Sequence, residues 1–292
     1  MTRSLYLIDG LNQVFRAYYA PFRELTSGSG EPTKAVFVFL RMLIQLVRER
    51  EPHYLALVME GPGPDFRREA YPAYKAHRKE MPDDLRSQVG RIQDIVAALG
   101  IPVLRAPGFE ADDMMATVVR AVMDEPGLEV VMVSSDKDLR QLLRGDAVCL
   151  YDPRKGLMLD AFGLEDEHGY TPSQSLEIQT LAGDSTDNVP GVCGVGEKTA
   201  VKLILKYGSA AEVVAHADEL TPKQRQNVLD FAQQMPLTRR LVTLRDDAPS
   251  DFRLHRCELD IDVSAAAPLL EELGLHGIVE ALRGLIDRPR LP

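Results

Sequence analysis

At 292 residues the chain suits one large domain or two modest ones, and a hydrophobic share of 45% beside a charged share of 27% excludes an intrinsically disordered protein. A net charge of −10 argues against a uniformly basic nucleic-acid binder, and the scattered Cys149, Cys193 and Cys257 form neither a zinc knuckle nor a redox pair. No apolar run reaches membrane-spanning length, and the opening Met-Thr-Arg-Ser leads into a strand rather than a signal peptide, which predicts a cytoplasmic protein with no membrane partner.

Residues 4–8 read as a short apolar strand ending at Asp9, followed by a helix over 12–19 and a loop over 21–32. Val36, Phe37, Leu40, Leu43, Ile44 and Val47 recur at helical spacing over 33–50, and Pro52 stops that helix. Residues 54–59 form a second strand ending at Glu60. Residues 61–82 are polar, basic and aromatic with no core face; within them Arg67, Arg68, Lys75, Arg78 and Lys79 outnumber Asp65, Glu69 and Glu80. Pro82-Asp83-Asp84 opens a helix running to Leu99 and closed by Gly100, after which 101–104 and 128–133 read as strands.

Between those last two strands lies the stretch that carries most information, Gly108-Phe109-Glu110-Ala111-Asp112-Asp113-Met114-Met115-Ala116. Here three carboxylates open an amphipathic helix whose Met114, Met115, Val118, Val119 and Val122 turn inward. Acids in a first turn favour the helix dipole, which accounts for one or two of them. Three, followed by Ser134-Ser135-Asp136-Lys137-Asp138 and Gly183-Asp184-Ser185-Thr186-Asp187-Asn188, fit better as oxygen ligands for hard divalent cations. Strands alternating with helices predict a mostly parallel sheet covered on both faces, in which ligands bind beyond the carboxyl ends of the strands. Asp9, Glu60 and Asp136 each end a strand and Glu110 follows one, so four segments deliver acids to one edge.

After about residue 169 the pattern turns to helices and turns. Gly191-Val192-Cys193-Gly194-Val195-Gly196-Glu197-Lys198-Thr199-Ala200 is a glycine-spaced turn opening a helix on which Lys198, Lys202 and Lys206 make one basic stripe. Such a stripe is commonly a solvated face, but glycines at a helix start expose backbone N–H groups suited to phosphate.

Taken together, IDGLNQVFRAYYA, FRREAYPAYKAHR, PGFEADDMMAT, SSDKDLRQLL and LAGDSTDNVPGVCGVGEKTA resemble, in order, the motifs of the bacterial 5′-3′ exonuclease and flap endonuclease family, typified by the amino-terminal nuclease domain of DNA polymerase I. The likeness runs from Leu5 to about Tyr207. It implies a PIN-like nuclease core over 1–170 with a helical arch near 61–82, and a helical DNA-binding region over 171–292 with a helix-hairpin-helix at 188–207. It also implies a two-metal phosphodiesterase that uses magnesium, with manganese as a substitute, and potassium at the helix-hairpin-helix. By the same resemblance Asp9, Glu110, Asp112 and Asp113 serve a first metal site, Asp136 and Asp138 lie between sites, and Asp184 and Asp187 serve a second. Lys75 and Arg78, three apart on one arch helix face, steer the scissile phosphate; Tyr71 or Tyr74 stacks on a base or simply packs. Arg16, Arg67, Gly194, Gly196, Lys198, Thr199 and Lys202 contact DNA, and His77 and His168 stay outside the chemistry. The implied partner is DNA with 5′ ends, nicks or flaps, with RNA in primer strands accepted, acted on by a monomer in replication and repair.

Two positions depart from the family pattern. Glu60, followed by Gly61-Pro62, stands where Asp with Ala-Lys is usual, and the extra methylene displaces a metal-binding carboxylate by roughly 1.5 Å. Cys193 stands where proline is usual. No polymerase region follows, which implies a stand-alone nuclease or a fragment. The competing readings are a DNA-binding module of the same fold that has lost activity, and a related RNA nuclease.

Overall fold

The structure, a computed structural model, describes residues 3–286; Met1, Thr2 and 287–292, the two ends of the ranges expected above, lie outside the described residues. Six strands form one sheet: β1 (Arg3–Asp9), β2 (Tyr54–Val58), β3 (Val103–Leu104), β4 (Leu128–Val133), β5 (Val148–Asp152) and β6 (Leu157–Leu159). Their order is β3-β2-β1-β4-β5-β6, parallel throughout except for the antiparallel β5–β6 pair. The central strands are buried on both faces, and their alternation sends Leu5, Leu7, Val130 and Met132 into one apolar cluster and Tyr6, Ile8, Val131 and Val133 into the other. That doubly covered sheet is the one expected. The last two strands were not read from the sequence.

Helices follow in the order α1 (Gly10–Tyr18), α2 (Lys34–Arg50), α3 (Phe66–Ala70), α4 (Asp83–Ala98), α5 (Ala111–Val122), α6 (Ala161–His168), α7 (Pro172–Ala182), α8 (Glu197–Tyr207), α9 (Ala210–Ala215), α10 (Pro222–Phe231), α11 (Met235–Val242), α12 (Val263–Glu272) and α13 (His276–Ile286). Apolar residues of α5 and of α7 to α10 join the first cluster, whereas α1, α2, α4, α12 and α13 build the second. The named elements of the described carboxyl-terminal stretch are all helices, and they pack in two places. Leu259, Val263, Leu270, Ile278 and Leu282 bring α12 and α13 back to the opposite face of the sheet, beside α2 and α4.

The basic segment differs from the expected helical arch. Only α3 is helical; residues 72–78 are turns. Pro72 accounts for the break, because a residue preceding proline avoids helical backbone, and Tyr71 lies in the extended region at φ −146°, ψ 94°. Lys75 then takes a left-handed φ of 55°. Lys75 and Arg78 consequently lie on a folded-back loop and not on one helix face.

Candidate active site

Strand order reverses about β1, between β2 and β4, and at this switch point a cavity of about 300 Å³ opens at the carboxyl edge. Asp9, Glu60, Glu110, Asp112, Asp136, Asp138, Asp184 and Asp187 line it, together with the basic Arg67, Lys75 and Arg78. Each acid is delivered by a short, determined piece of chain. Asp9 ends β1 and caps α1, accepting from the Asn12 N–H at 3.2 Å. Glu110 caps α5, which puts Asp112 in the first turn of that helix. Asp184 and Asp187 sit in a loop closed by two hydrogen bonds between Asp184 and Val189, of 3.0 and 2.7 Å. Gly183 makes that closure feasible: at φ 65° a Cβ there would stand 2.5 Å from the Val189 carbonyl oxygen.

A relay of hydrogen bonds holds the acids around β1 and β4. Ser134 Oγ donates to Asp9 Oδ2 at 2.7 Å and accepts from the Asp136 N–H at 3.0 Å; Asp136 Oδ1 accepts from the Asp138 N–H at 2.9 Å. Asn12 Oδ1 accepts from Gln13 Nε2 at 2.9 Å and from Ser135 Oγ at 3.3 Å. Ser134 and Asn12 were missed by sequence reasoning. The available signal for Ser134 was a polar residue directly after an apolar strand, two positions before an acid.

Crowding shifts the carboxyl groups strongly. Burial pushes Asp9 up to about 6, with Asp136 and Glu60 adding repulsion against the hydrogen bonds from Ser134 and Asn12. Burial likewise raises Asp138 to about 7, reinforced by Asp136 and Asp184. Asp112 stands well above the usual carboxylate range through burial, then through repulsion from Asp136, Asp9, Asp138 and Glu110. Glu110 goes the other way: burial favours its neutral form, but Lys75 and then Arg67 hold it below its ordinary value.

The donors facing the cavity are carboxylate oxygens, and Asp138 Oδ1 is buried with no hydrogen-bond partner, so the set suits hard divalent cations. Among the described residues no three of these side chains close into a compact cage; they face a common space instead.

The cations lining the cavity are engaged with the acids. Lys75 Nζ pairs with Glu110 Oε1, and Arg78 Nη2 with Asp187 Oδ1 at 2.5 Å. Tyr74 is buried, donating to Glu110 Oε2 at 3.1 Å and standing at 3.5 Å from Asp187 Oδ2. With its ring packed against Val189, Leu241 and Val242, where Tyr71 also packs, Tyr74 presents no free face for base stacking. Tyr71 is half-buried beside the same cluster.

Two further placements correct the sequence reading. Asp113 is fully buried and turned from the cavity, because both its oxygens are taken by Arg67. Arg67, expected to contact DNA, is only 2% exposed and stands in the wall of the cavity. Arg16 is half-buried and pairs with Asp152 at 3.3 Å. At the glycine turn, Gly194 has a positive φ of 75°, Gly196 caps α8 without a side-chain bond, Thr199 is half-buried, and Lys198 and Lys202 are exposed. Lys206 leaves the stripe, donating to Glu219 at 3.0 Å and to the Tyr207 hydroxyl at 2.7 Å.

An acid-lined edge at the switch point of a doubly covered sheet, with a helical appendage carrying a glycine turn, defines a nuclease-like α/β architecture. Family models make the assignment specific: residues 4–169 match the 5′-3′ exonuclease N-terminal resolvase-like domain, and residues 170–263 match the 5′-3′ exonuclease C-terminal SAM fold. The chain belongs to the 5′-3′ exonuclease family. It is 36% identical over 289 residues to DNA polymerase I of Treponema pallidum, covering 98% of this chain and 29% of that one. The chain thus spans less than a third of that relative. Among solved structures, the zinc-bound 5′-exonuclease of T5 superposes with a TM-score of 0.68 at 20% identity, over 98% of this chain and 99% of that one. The bacteriophage T5 D15 flap endonuclease, solved as a pseudo-enzyme-product complex with DNA and metal ions, gives 0.67 at 20% identity over 98% and 100%. No helix among the described residues is long and apolar enough to cross a membrane.

Proposed function

We propose that the chain hydrolyses phosphodiester bonds at 5′ ends, nicks and flaps of DNA, acting by structure rather than sequence. The observation that carries this reading is the set of eight carboxylates lining one cavity at the carboxyl edge of the sheet, where burial and mutual repulsion raise Asp9, Asp112 and Asp138 above their ordinary values. Asp9, Glu60, Glu110, Asp112 and Asp136 would hold one divalent ion and Asp138, Asp184 and Asp187 a second, with magnesium as the cation and manganese a substitute. When bound, such ions supply an activated water and neutralise charge on the scissile phosphate and leaving oxygen.

The remaining work falls to the chain's own groups. The Ser134 hydroxyl fixes Asp9 and the Asp136 backbone so that their oxygens do not rotate away. Lys75 and Arg78 are the groups that can leave their carboxylate partners for a phosphate, and the arginine fork is suited to two of its oxygens. Lys198 and Lys202, with the uncapped start of α8, grip duplex backbone without reading bases. A potassium ion at the 191–196 turn, acceptance of RNA in a primer strand, action as a monomer in the cytoplasm and a unit boundary near residue 170 belong to the same reading. The boundary is supported by the change of family model at that point.

The test is to map products from end-labelled 5′-flap DNA, nicked DNA and the matching RNA with magnesium, manganese or chelator. Metal-dependent cuts near the DNA flap junction support the reading. Cutting confined to single-stranded RNA would replace it with an RNA nuclease.

A further inference from the structure

Arg67 belongs to a basic segment whose neighbours Arg68 and Arg78 are exposed, yet its own guanidinium is enclosed. Its nitrogens are spent on two other parts of the chain, the start of α5 and the end of α11. Nη1 and Nη2 donate to Asp113 Oδ2 and Oδ1 at 2.6 and 2.8 Å; Nε donates to the Leu241 carbonyl at 2.7 Å and Nη2 to the Thr243 carbonyl at 3.1 Å. Nη1 also stands 3.4 Å from Glu110 Oε2. Asp113 in turn accepts from the Glu110 N–H at 3.2 Å and from the Arg245 N–H at 2.8 Å. One ion pair therefore joins α3, the start of α5 and the strap at 241–245. It also sets the backbone of Glu110, the carboxylate that Lys75 and Tyr74 both contact.

We propose that Arg67 and Asp113 form a positioning pair for the nuclease reaction, fixing Glu110 and the base of the 71–79 loop relative to one another, and that Asp113 is not a cation ligand. The inference rests on the nuclease reading above, and takes Asp113 out of the acid set that the sequence suggests. A planar fork closed on a carboxylate with its remaining donors on carbonyls has a single geometry, which is what a hinge point needs. A lysine retains the charge but supplies neither the fork nor the two carbonyl bonds. A pair of apolar side chains fills the volume but holds no orientation.

The experiment compares Arg67→Lys, Asp113→Asn and the double variant Arg67→Met with Asp113→Leu against wild type and Asp112→Asn. Three readouts are taken: manganese affinity by electron paramagnetic resonance, trypsin cleavage after Lys75, Arg78 and Lys79 well below the melting temperature, and kcat and KM on a 5′-flap duplex. Asp113→Asn is expected to keep manganese affinity within about threefold of wild type, while Asp112→Asn weakens it by about tenfold or more. The apolar double variant leaves the Glu110 and Arg245 N–H groups and the Leu241 and Thr243 carbonyls without these partners, so it is expected to melt below wild type, and both proteins are compared folded, at equal distances below their own melting temperatures. The variant's loop should then be cut by trypsin about tenfold faster, with kcat lowered by about tenfold and KM little changed. Arg67→Lys, which keeps the charge, should show the same split in milder form. Manganese binding lost equally in Asp113→Asn and Asp112→Asn overturns the proposal, and so does a folded double variant with wild-type trypsin resistance and kcat. If wild type cuts no nucleic acid, the nuclease reading fails, while the manganese and trypsin arms still decide the role of the pair.

Discussion

Ser134 and Asp9 meet across the switch point: the hydroxyl at the end of β4 donates to the carboxylate at the end of β1 at 2.7 Å, with Ser134 fully buried and Asp9 6% exposed. Because the same oxygen accepts from the Asp136 N–H, removing it strands two polar groups at once. Ser134→Ala should cost about 1–3 kcal/mol of stability. It should also lower kcat by about tenfold with KM little changed, because the acids lose their fixed orientation. Urea unfolding and steady-state cleavage check the two effects separately; a variant as stable and active as wild type would show that the relay is incidental.

The pH dependence of stability follows from the raised carboxyl groups. Asp9 and Asp138 have folded values of about 6 and about 7, above the ordinary 3.8, so the folded state binds protons more tightly than the unfolded state. That contribution is fully present below about pH 4 and is lost as pH rises through the folded values. In chelator the melting temperature should therefore fall between pH 5 and 8 by about 5 °C or more, other groups being equal. Magnesium should raise it, and by more at pH 8 than at pH 5.5, since the cation binds ionised oxygens. Calorimetry at the two pH values reads both signs, and a magnesium shift that is larger at the lower pH contradicts the account.

Gly61 shows why the departure from the family pattern at 60–62 hangs together. A Cβ at Gly61 would lie 1.7 Å from the Ala106 carbonyl oxygen, so the alanine usual there cannot be accommodated on this backbone. Gly61→Ala should destabilise by about 3 kcal/mol through overpacking against fixed backbone. Glu60, at the rim of the cavity, has less constraint: Glu60→Asp should fold normally and keep more activity than Glu60→Gln, which removes the charge. Thermal melts of the first and rates of the other two test these orderings.

On the helical side, Lys198 and Lys202 are exposed and, among the described residues, without an ion-pair partner, whereas Lys206 is held by Glu219. Replacing Lys198 and Lys202 by alanine should weaken duplex binding and reduce the slope of log affinity against log salt by about 2. Lys206→Ala should leave the slope near wild type. Fluorescence anisotropy across a salt series measures both, and equal effects of all three lysines would restore the uniform stripe.

Much of this was legible because strand ends and helix starts are locally encoded. Apolar runs ending in Asp9, Glu60 and Asp136, and a helix opening on Glu110 and Asp112, predict one acid-bearing edge from periodicity alone, and the structure brings all five to one cavity. What escaped was tertiary. Asp113 reads the same as Asp112 in one dimension, yet a step of one residue along a helix turns it about 100° away, toward Arg67. The basic segment was expected to be helical because it resembles the family's arch, and Pro72 with the left-handed Lys75 sets it as a loop instead. β5, Val-Cys-Leu-Tyr-Asp between a Gly-Asp turn and Pro153, carried a strand signal too short to stand out beside the acidic motifs.

Whether the carboxylates at the switch point act together as the reaction centre is decided by cleavage of an end-labelled 5′-flap duplex by wild type and Asp112→Asn in magnesium and in chelator. Cuts near the junction should need magnesium and fall by about a hundredfold or more in Asp112→Asn, with flap binding retained. Cleavage that persists in chelator or in Asp112→Asn, or a wild type that binds the flap and never cuts it, would contradict that role.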